Sequence, residues 1–241
     1  MILVDTLLYK IDQRLNKLST NDHQQIPLED KILALNEAQI KLIKQKVTGT
    51  VTNTRLGLDS FRKRYEDLES LIVGFKECKL KLTDKLLNQW SLDLETLPIK
   101  YLYYVDSYIL AEKGRCKGKQ IWINKDLARH GDLSLLLKND NYKPSFEYEE
   151  TFNMINSNQF HIYTDGTFKP TELQFMYIKY PDYINKEGYV MLDDTESVTT
   201  NCELDDMLED ELLDLTIQNL AMYTENTTAV QNTNYRIQTN E

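Results

Sequence analysis

The 241-residue chain has no long apolar run. Its opening Met1-Ile2-Leu3-Val4 is broken at once by Asp5, and nothing approaches the roughly 18 consecutive apolar residues that a bilayer span needs. Neither a transmembrane segment nor a secretory leader is expected. Cysteine is scarce too: Cys78, Cys116 and Cys202 are too few and too far apart for a disulfide framework or a zinc knuckle, and they read as reduced structural thiols of a cytosolic compartment. Basic residues are missing from the last fifth of the chain. Residues 193–241 hold 12 of the 38 acids but only Arg236 among the basic residues, a net charge of −11, which leaves residues 1–192 with +1. A broad basic groove for phosphate backbones is thereby excluded, and with it a nucleic-acid reader that works by charge.

The sequence also lacks the constellations that carry chemistry. His23, His130 and His161 lie more than thirty residues from one another, and none falls in an HxxxH, HExxH or HxH arrangement. Phosphate-cradling GxxxxGK[ST] and GxGxxG motifs are absent, as is the GxSxG nucleophile elbow. Gly114 and Gly118 flank Arg115 and Lys117, a basic turn best read as a solvated hairpin connection. Glu203, Asp205, Asp206, Glu209, Asp210, Glu211 and Asp214 form an acidic run, but leucines interrupt it at helical intervals and no glycine turn divides it, so a calcium loop is not indicated. Glu147, Glu149 and Glu150 before Phe152 read as loop and helix-start charges. No catalytic, cofactor-binding or metal-ligating residue is nominated, and no enzyme activity is expected.

Apolar periodicity is what the chain does have. Val4, Leu7, Leu8, Ile11, Leu15 and Leu18 fall at the three-four spacing of one helix face, as do Ile32, Leu35, Ala38, Leu42, Ile43 and Val47 in a second run. Phe61, Tyr65, Leu68, Ile72 and Phe75 predict a third helix, and Leu80–Leu87 a further helical piece. The period then changes to two. Eleven of the 15 tyrosines lie in residues 101–192, and tyrosine suits the half-buried surface of a sheet. Strands are expected over Tyr101–Ala111, Lys119–Asn124, Gln159–Thr164 and Leu173–Tyr180, with a short helix over Asp132–Lys138. In Leu173–Tyr180 both faces are apolar, so that strand requires cover on both sides. Helical spacing returns at Leu204, Leu208, Leu212, Leu215 and Leu220, capped by Thr200 with Glu203 or by Asp205. Beyond Met222 the chain is polar and aperiodic.

Three segments, in this order, carry a resemblance. They are Leu35-Asn36-Glu37-Ala38-Gln39-Ile40-Lys41-Leu42-Ile43-Lys44, Phe175-Met176-Tyr177-Ile178-Lys179-Tyr180-Pro181, and Cys202-Glu203-Leu204 through Glu209-Asp210-Glu211-Leu212-Leu213-Asp214-Leu215. Together they resemble the neck ring, or head-to-tail connector, proteins of crAss-like and related Bacteroidetes phages. Those proteins often place Pro, Glu and His after the Cys-Glu-Leu, whereas Asp205 and Asp206 follow here. The resemblance implies a virion structural protein, present as a ring, twelvefold to match the portal vertex, with the portal and neighbouring neck or tail proteins as partners. Genome DNA would pass through it unread. It also implies assembly in the host cytoplasm and residence at the portal vertex of the virion, without membrane contact.

Pattern and resemblance together give an α+β expectation: a helical bundle formed by N-terminal helices and a C-terminal helix, with an inserted β-rich domain. The divisions are 1–97 helical, 98–192 inserted and β-rich, 193–223 an acidic C-terminal helix packing on the helical domain, and 224–241 a flexible polar tail. Tyr101, Tyr103, Tyr104, Trp122, Phe160, Phe175 and Tyr177 are the candidate interface, expected to divide between a domain core and a subunit contact. Asp206, Glu209, Asp210 and Asp214 are the candidate acidic face, turned to solvent or to the DNA channel. A cytosolic adaptor or regulatory module binding one protein partner is the alternative reading.

Overall fold

The structure, a computed structural model, describes residues 1–18, 26–48, 62–124, 133–189 and 195–223. Among them are five helices, α1 (Val4–Leu18), α2 (Leu28–Thr48), α3 (Arg62–Asp67), α4 (Leu133–Lys138) and α5 (Glu209–Tyr223). Eight strands are present: β1 (Ile72–Cys78), β2 (Lys81–Asp84), β3 (Gln89–Asp93), β4 (Tyr101–Lys113), β5 (Cys116–Asn124), β6 (Glu150–Asn156), β7 (Gln159–Tyr163) and β8 (Lys169–Lys179). The fold is mixed, with all eight strands in one sheet ordered β1-β8-β4-β5-β6-β7-β3-β2. No helix among the described residues is long and apolar enough to cross a membrane. Two compact units divide the chain: Met1–Leu71 together with Pro181–Glu241, and Ile72–Tyr180 between them in sequence. The sheet unit therefore starts well before residue 98 and ends before 192. The tail 224–241, Phe61, His23 and His130 lie outside the described residues.

In the sheet unit every neighbouring pair is antiparallel except β5 and β6, which run parallel. The long β4 alternates as a one-sided strand does, with Val105, Ser107, Ile109 and Ala111 buried and their neighbours half-exposed. In β8 Leu173, Phe175 and Tyr177 form the fully buried face, while Ile178 is also buried and Met176 is partly covered. Flat, β8 and β7 would stand about 19 Å apart, four spacings at about 4.8 Å. Yet the rings of Phe160 on β7 and Phe175 on β8 meet edge-on with centroids 5.0 Å apart, and Phe160 also meets Tyr104 of β4 at 5.5 Å. The sheet curls over itself, and Ile109, Ile121, Phe160, Ile162, Leu173 and Phe175 fill the space it encloses. The buried Tyr177 hydroxyl donates to the carbonyl of Ile99 at 3.0 Å, which satisfies the polar end of an otherwise apolar side chain.

Strand β6 is buried on both faces, at Thr151, Phe152, Asn153 and Met154. Its second face meets α4 through Leu136, with the Phe152 and Tyr163 rings stacked at 5.1 Å. The acids before it mark the entrance to a strand rather than a helix start, because covered faces, not propensity, decide the conformation of residues 150–156. Two further corrections concern β1 and β2. The expected third helix stops at Asp67, a 3₁₀ turn follows at Glu69–Leu71, and Ile72-Val73 begin a strand. Isoleucine and valine are stiff at χ1 and fit the pleat better than the helix, and the register shift between Val73 and Lys76 brackets Gly74, where a bulge is easiest. In place of helix over Leu80–Leu87 there is a β2–β3 hairpin. Its turn is closed by Asp84, whose Oδ1 accepts from the amides of Leu86 and Leu87, and by Asn88 in the left-handed region at φ 48°.

In the helical unit α2 packs along α5. Leu212 through Gln218 are all buried, nearly two turns, so α5 is enclosed on every side rather than half-solvated. Leu204, Leu208, Leu212, Leu215 and Leu220 are buried as their spacing requires. Of the two caps considered, Asp205 is the one used: its carboxylate accepts from the Met207 amide, while Glu203 accepts from the amide of Asp182 at 2.9 Å. We expect Phe175→Ala to lower unfolding free energy by about 3–5 kcal/mol in urea titrations, and Trp122→Ala, whose side chain is 51% exposed, by less than about 1 kcal/mol. Equal losses at the two positions would contradict the assignment of core and surface.

Candidate assembly surfaces

The seven aromatic candidates sort cleanly. Phe160, Phe175 and Tyr177 are fully buried, and Tyr101 and Tyr104 pack against them from the rim of the core. Burial pushes the Tyr101 phenol up to about 12, and it raises Tyr104 further still despite the hydrogen bond of 2.7 Å between its hydroxyl and that of Ser107. Phe160, Phe175 and Tyr177 thus belong to the interior of the sheet unit, while Tyr101 and Tyr104 are partly buried at its rim. Tyr103 is half-buried, and Trp122 projects from the outer face, where its ring lies 5.4 Å from that of Tyr108 across the β4–β5 pair. The candidates left on the surface are therefore Trp122 and, in part, Tyr101, Tyr103 and Tyr104.

The acidic candidates do not share one solvated face. Lys10 and Arg14, one turn apart on α1, meet three of them: Lys10 Nζ lies 2.6 Å from Glu209, Arg14 Nη1 lies 2.7 Å from Asp214, and Arg14 Nη2 contacts Asp210. Asp214 is fully buried in this pairing. Asp206 remains exposed, with the Met1 nitrogen 3.2 Å from its Oδ1. On the α2 side Lys46 bridges Glu211 at 2.8 Å and Asp67 at 2.9 Å, and Lys41 donates to Gln218 at 2.9 Å. Burial alone would lower the Lys46 pKa, but hydrogen bonds to Glu211 and Asp67 and the charge of both outweigh it and the net shift is upward. The acids of α5 thus fasten it to α1 and α2. A buried carboxylate is tolerable only with a cation against it, and sequence reasoning found the acids without finding Lys10 and Arg14, although their i, i+4 spacing was visible.

Two of the three segments that carry the resemblance, Leu35–Lys44 and Cys202–Leu215, lie in the helical unit, whereas Phe175–Tyr180 belongs to the sheet unit and only Pro181 of that segment does not. Asn36 of α2 binds the backbone of Ile184 on both sides, its Nδ2 donating to the Ile184 carbonyl and its Oδ1 accepting from the Ile184 amide, each at 2.8 Å. Ile184 follows Pro181 by three residues. Asn185 then pairs with Thr200 as an isolated antiparallel bridge, and Cys202 pairs with Ile2 through two bonds of 3.0 Å. The Asn201 side chain accepts from the Val4 amide at 3.1 Å and so serves the first turn of α1 from the far end of the chain. Burial pushes the Cys202 thiol up to about 11; Cys78 is half-buried and Cys116 exposed.

One further surface escaped the sequence reading, because residues 80–87 were taken as helix. The β2–β3 turn displays Leu86, 94% exposed, with Leu82 and Leu87 also exposed. The turn is built firmly: the Asn88 carbonyl accepts from the Thr164 amide at 3.1 Å, and a Cβ at Gly166 would sit 2.9 Å from the Asn88 side chain. Asp84 and Asn88, both good turn formers, were the available signal. Among the described residues no group of three His, Cys, Asp or Glu is placed to hold a metal ion. His161 is buried in β7 with its Nδ1 2.8 Å from Gln89 Nε2, and burial lowers its pKa. Set against models of known protein families the chain matches none, and no curated protein sequence matches it.

Two outcomes test this network. Asp214→Leu should cost roughly 3 kcal/mol, while Arg14→Met with Asp214→Leu should cost less than the two single changes added, a coupling readable from denaturation of all four proteins. For pH, the folded Cys202 thiol holds its proton up to about 11 while an unfolded one releases it near 9. Stability from this group is full below pH 9 and falls by about 2–3 kcal/mol as pH rises to 11. Cys202→Ala should flatten that slope, and an unchanged slope in the variant would contradict the burial of the thiol.

Proposed function

We propose that this protein is a virion structural subunit without catalytic activity. Copies form a closed ring, twelvefold to match the portal vertex, as a head-to-tail connector that scaffolds the channel for genome DNA. In this reading α1, α2 and α5 act as the helical bundle of the connector, and the sheet unit inserted between residues 71 and 181 is its contact domain. The portal and adjacent neck or tail proteins are the partners, and the neck of the particle is its location.

The observation that supports the reading is that two of the three resembling segments border one hydrogen-bonded closure of the helical unit. Asn36 within Leu35–Lys44 holds Ile184, Asn185 pairs with Thr200, and Cys202 pairs with Ile2, so two stretches far apart in sequence border a single structural feature, while Phe175–Tyr180 belongs to β8. The pairing of α5 acids with Lys10, Arg14 and Lys46 bears on how the channel would be lined: Glu209, Glu211 and Asp214 are covered where they hold the subunit together, which leaves Asp206 and Asp210 as the exposed members of the expected acidic face, each paired with a cation of the same chain. Quantitative mass spectrometry of purified particles should detect the chain in multiple copies, and electron microscopy of the recombinant protein should show closed rings. Particles that lack the protein would refute this function.

A further inference from the structure

The solvent side of α2 carries an unusual mixture. Between its first turn and Lys44 the exposed residues are Glu29, Asp30, Leu33 and Glu37, which fall within one third of the helix circumference. Three tyrosines of the same unit accompany them: Tyr183 and Tyr223, each about half exposed, and the partly buried Tyr189. The Tyr223 hydroxyl donates to Glu37 Oε2 at 2.6 Å, and Met222 beside it is also about half exposed. Burial and then the charge of Glu37 raise the pKa of Tyr183, while burial, Tyr183 and the charge of Glu29 raise that of Tyr189. For Tyr223 the hydrogen bond to Glu37 leads, followed by burial and the charges of Glu37 and Asp30. The three rings therefore lie within electrostatic reach of the three carboxylates.

Glu29 and Asp30 suit the positive end of α2, but Glu37 stands in its third turn, where the helix dipole gives no such reason. Among the described residues no cation is paired with any of the three. Lys41, one turn on from Glu37, donates to Gln218. Aromatic rings beside carboxylates are the chemistry that holds a guanidinium: the ring face attracts the cation, and the carboxylate accepts from its forked N–H groups. The chain has such a group within reach. Arg236 is the one basic residue after Lys186, flanked by Tyr235 and Ile237 in a stretch otherwise short of large apolar side chains. It follows Tyr223, itself part of the surface, by 13 residues and lies outside the described ones. Thirteen residues span up to about 45 Å. A tether of this length supplies an effective concentration on the order of millimolar, against which a second copy at lower concentration competes poorly.

We propose that Tyr235-Arg236-Ile237 docks on this surface of its own chain, the guanidinium against Glu29, Asp30 and Glu37 and the tyrosine rings, the flanking side chains against Leu33 and Met222. The contact gives the last segment a place on the helical unit and does not draw on the ring. Arg236 is also the one trypsin site after Lys186, so its own cleavage reports the docking. The native full chain is digested together with an isotope-labelled synthetic peptide of residues 230–241, and mass spectrometry follows release of the peptide that begins at Ile237. Release from the chain should be about tenfold slower than from the reference at every protein concentration, and the gap should close in about 0.5 M salt.

Two variants at exposed positions should each release at least about threefold faster than the wild type with an unchanged thermal midpoint: Glu29→Gln with Asp30→Asn and Glu37→Gln, and Tyr183→Ala. Tyr183→Phe, which keeps the ring, should match the wild type. Release from the wild-type chain as fast as from the reference would overturn the docking, and protection indifferent to salt would overturn its ionic basis without recourse to any variant. Protection that survives both surface variants would overturn the choice of surface. Protection that appears only as protein concentration rises would assign the segment to a second copy and overturn the contact within one chain.

Discussion

The helical unit depends on keeping carboxylates inside. Helix α5 is enclosed over Leu212–Gln218 and still carries Asp214 there, so its burial is possible only because Arg14 reaches it from α1. An ionised carboxylate left alone in that position would cost several kcal/mol, more than the surrounding leucines could offset at one site. Position and orientation of α1 are therefore dictated by charge as much as by Val4, Leu7, Leu8 and Ile11. Lys46 plays the same part for α2, tying Glu211 and Asp67 together. Apolar burial supplies the driving force, and these pairs select which of several helix registers is realised, since a slip of one turn would leave Arg14 or Asp214 without its partner.

The sheet unit is organised by a different constraint. Its aromatic side chains are too large to be covered by a flat, single-layered sheet, and the contacts of Phe160 with Phe175 and Tyr104 require the strands to bend until their inner faces meet. Curling places the tyrosine-rich β4 at the centre, where alternate residues are buried and the polar ends of Tyr104 and Tyr177 find Ser107 and the Ile99 carbonyl. Apolar groups that remain outside include Trp122 on one face, the hairpin leucines on the β2 edge, and Leu135, Tyr142 and Tyr148 in the stretch between β5 and β6.

Much of this was written in local pattern. Helices α1 and α2 and strands β4 and β5 follow from three-four and two-residue spacing, because each has one covered face that the period reports, while α5, β7 and β8 are covered more widely and show in their leucine spacing and their aromatic and β-branched runs. Pattern failed in three places. β6 is covered on both faces and has no alternation to read; β1 begins with Ile72 and Val73, which also satisfy a helical spacing; and the β2–β3 hairpin is fixed by the side chains of Asp84 and Asn88 rather than by its leucines. For the candidate surfaces, residue type was legible and partner was not. Three of the seven aromatics are fully buried and Tyr101 and Tyr104 partly so, since a large ring serves a core and a contact equally well, and the acids of α5 were visible while the distant cations that pair with them were not.

The bridge between Ile2 and Cys202, with Asn201 serving the first turn of α1, has a consequence for the order in which the molecule is made. The helical unit is split in sequence, and residues 181–223 reach the ribosome exit only after the whole of the sheet unit has emerged. Helices α1 and α2 must wait through the synthesis of the 160 residues between Thr48 and Glu209 before α5 arrives to neutralise Lys10, Arg14 and Lys46. The sheet, contiguous from Ile72 to Tyr180, has every strand it needs sooner. Its completion precedes closure of the first-made helices, and the amphipathic α1 and α2 are the segments that a growing chain leaves exposed longest.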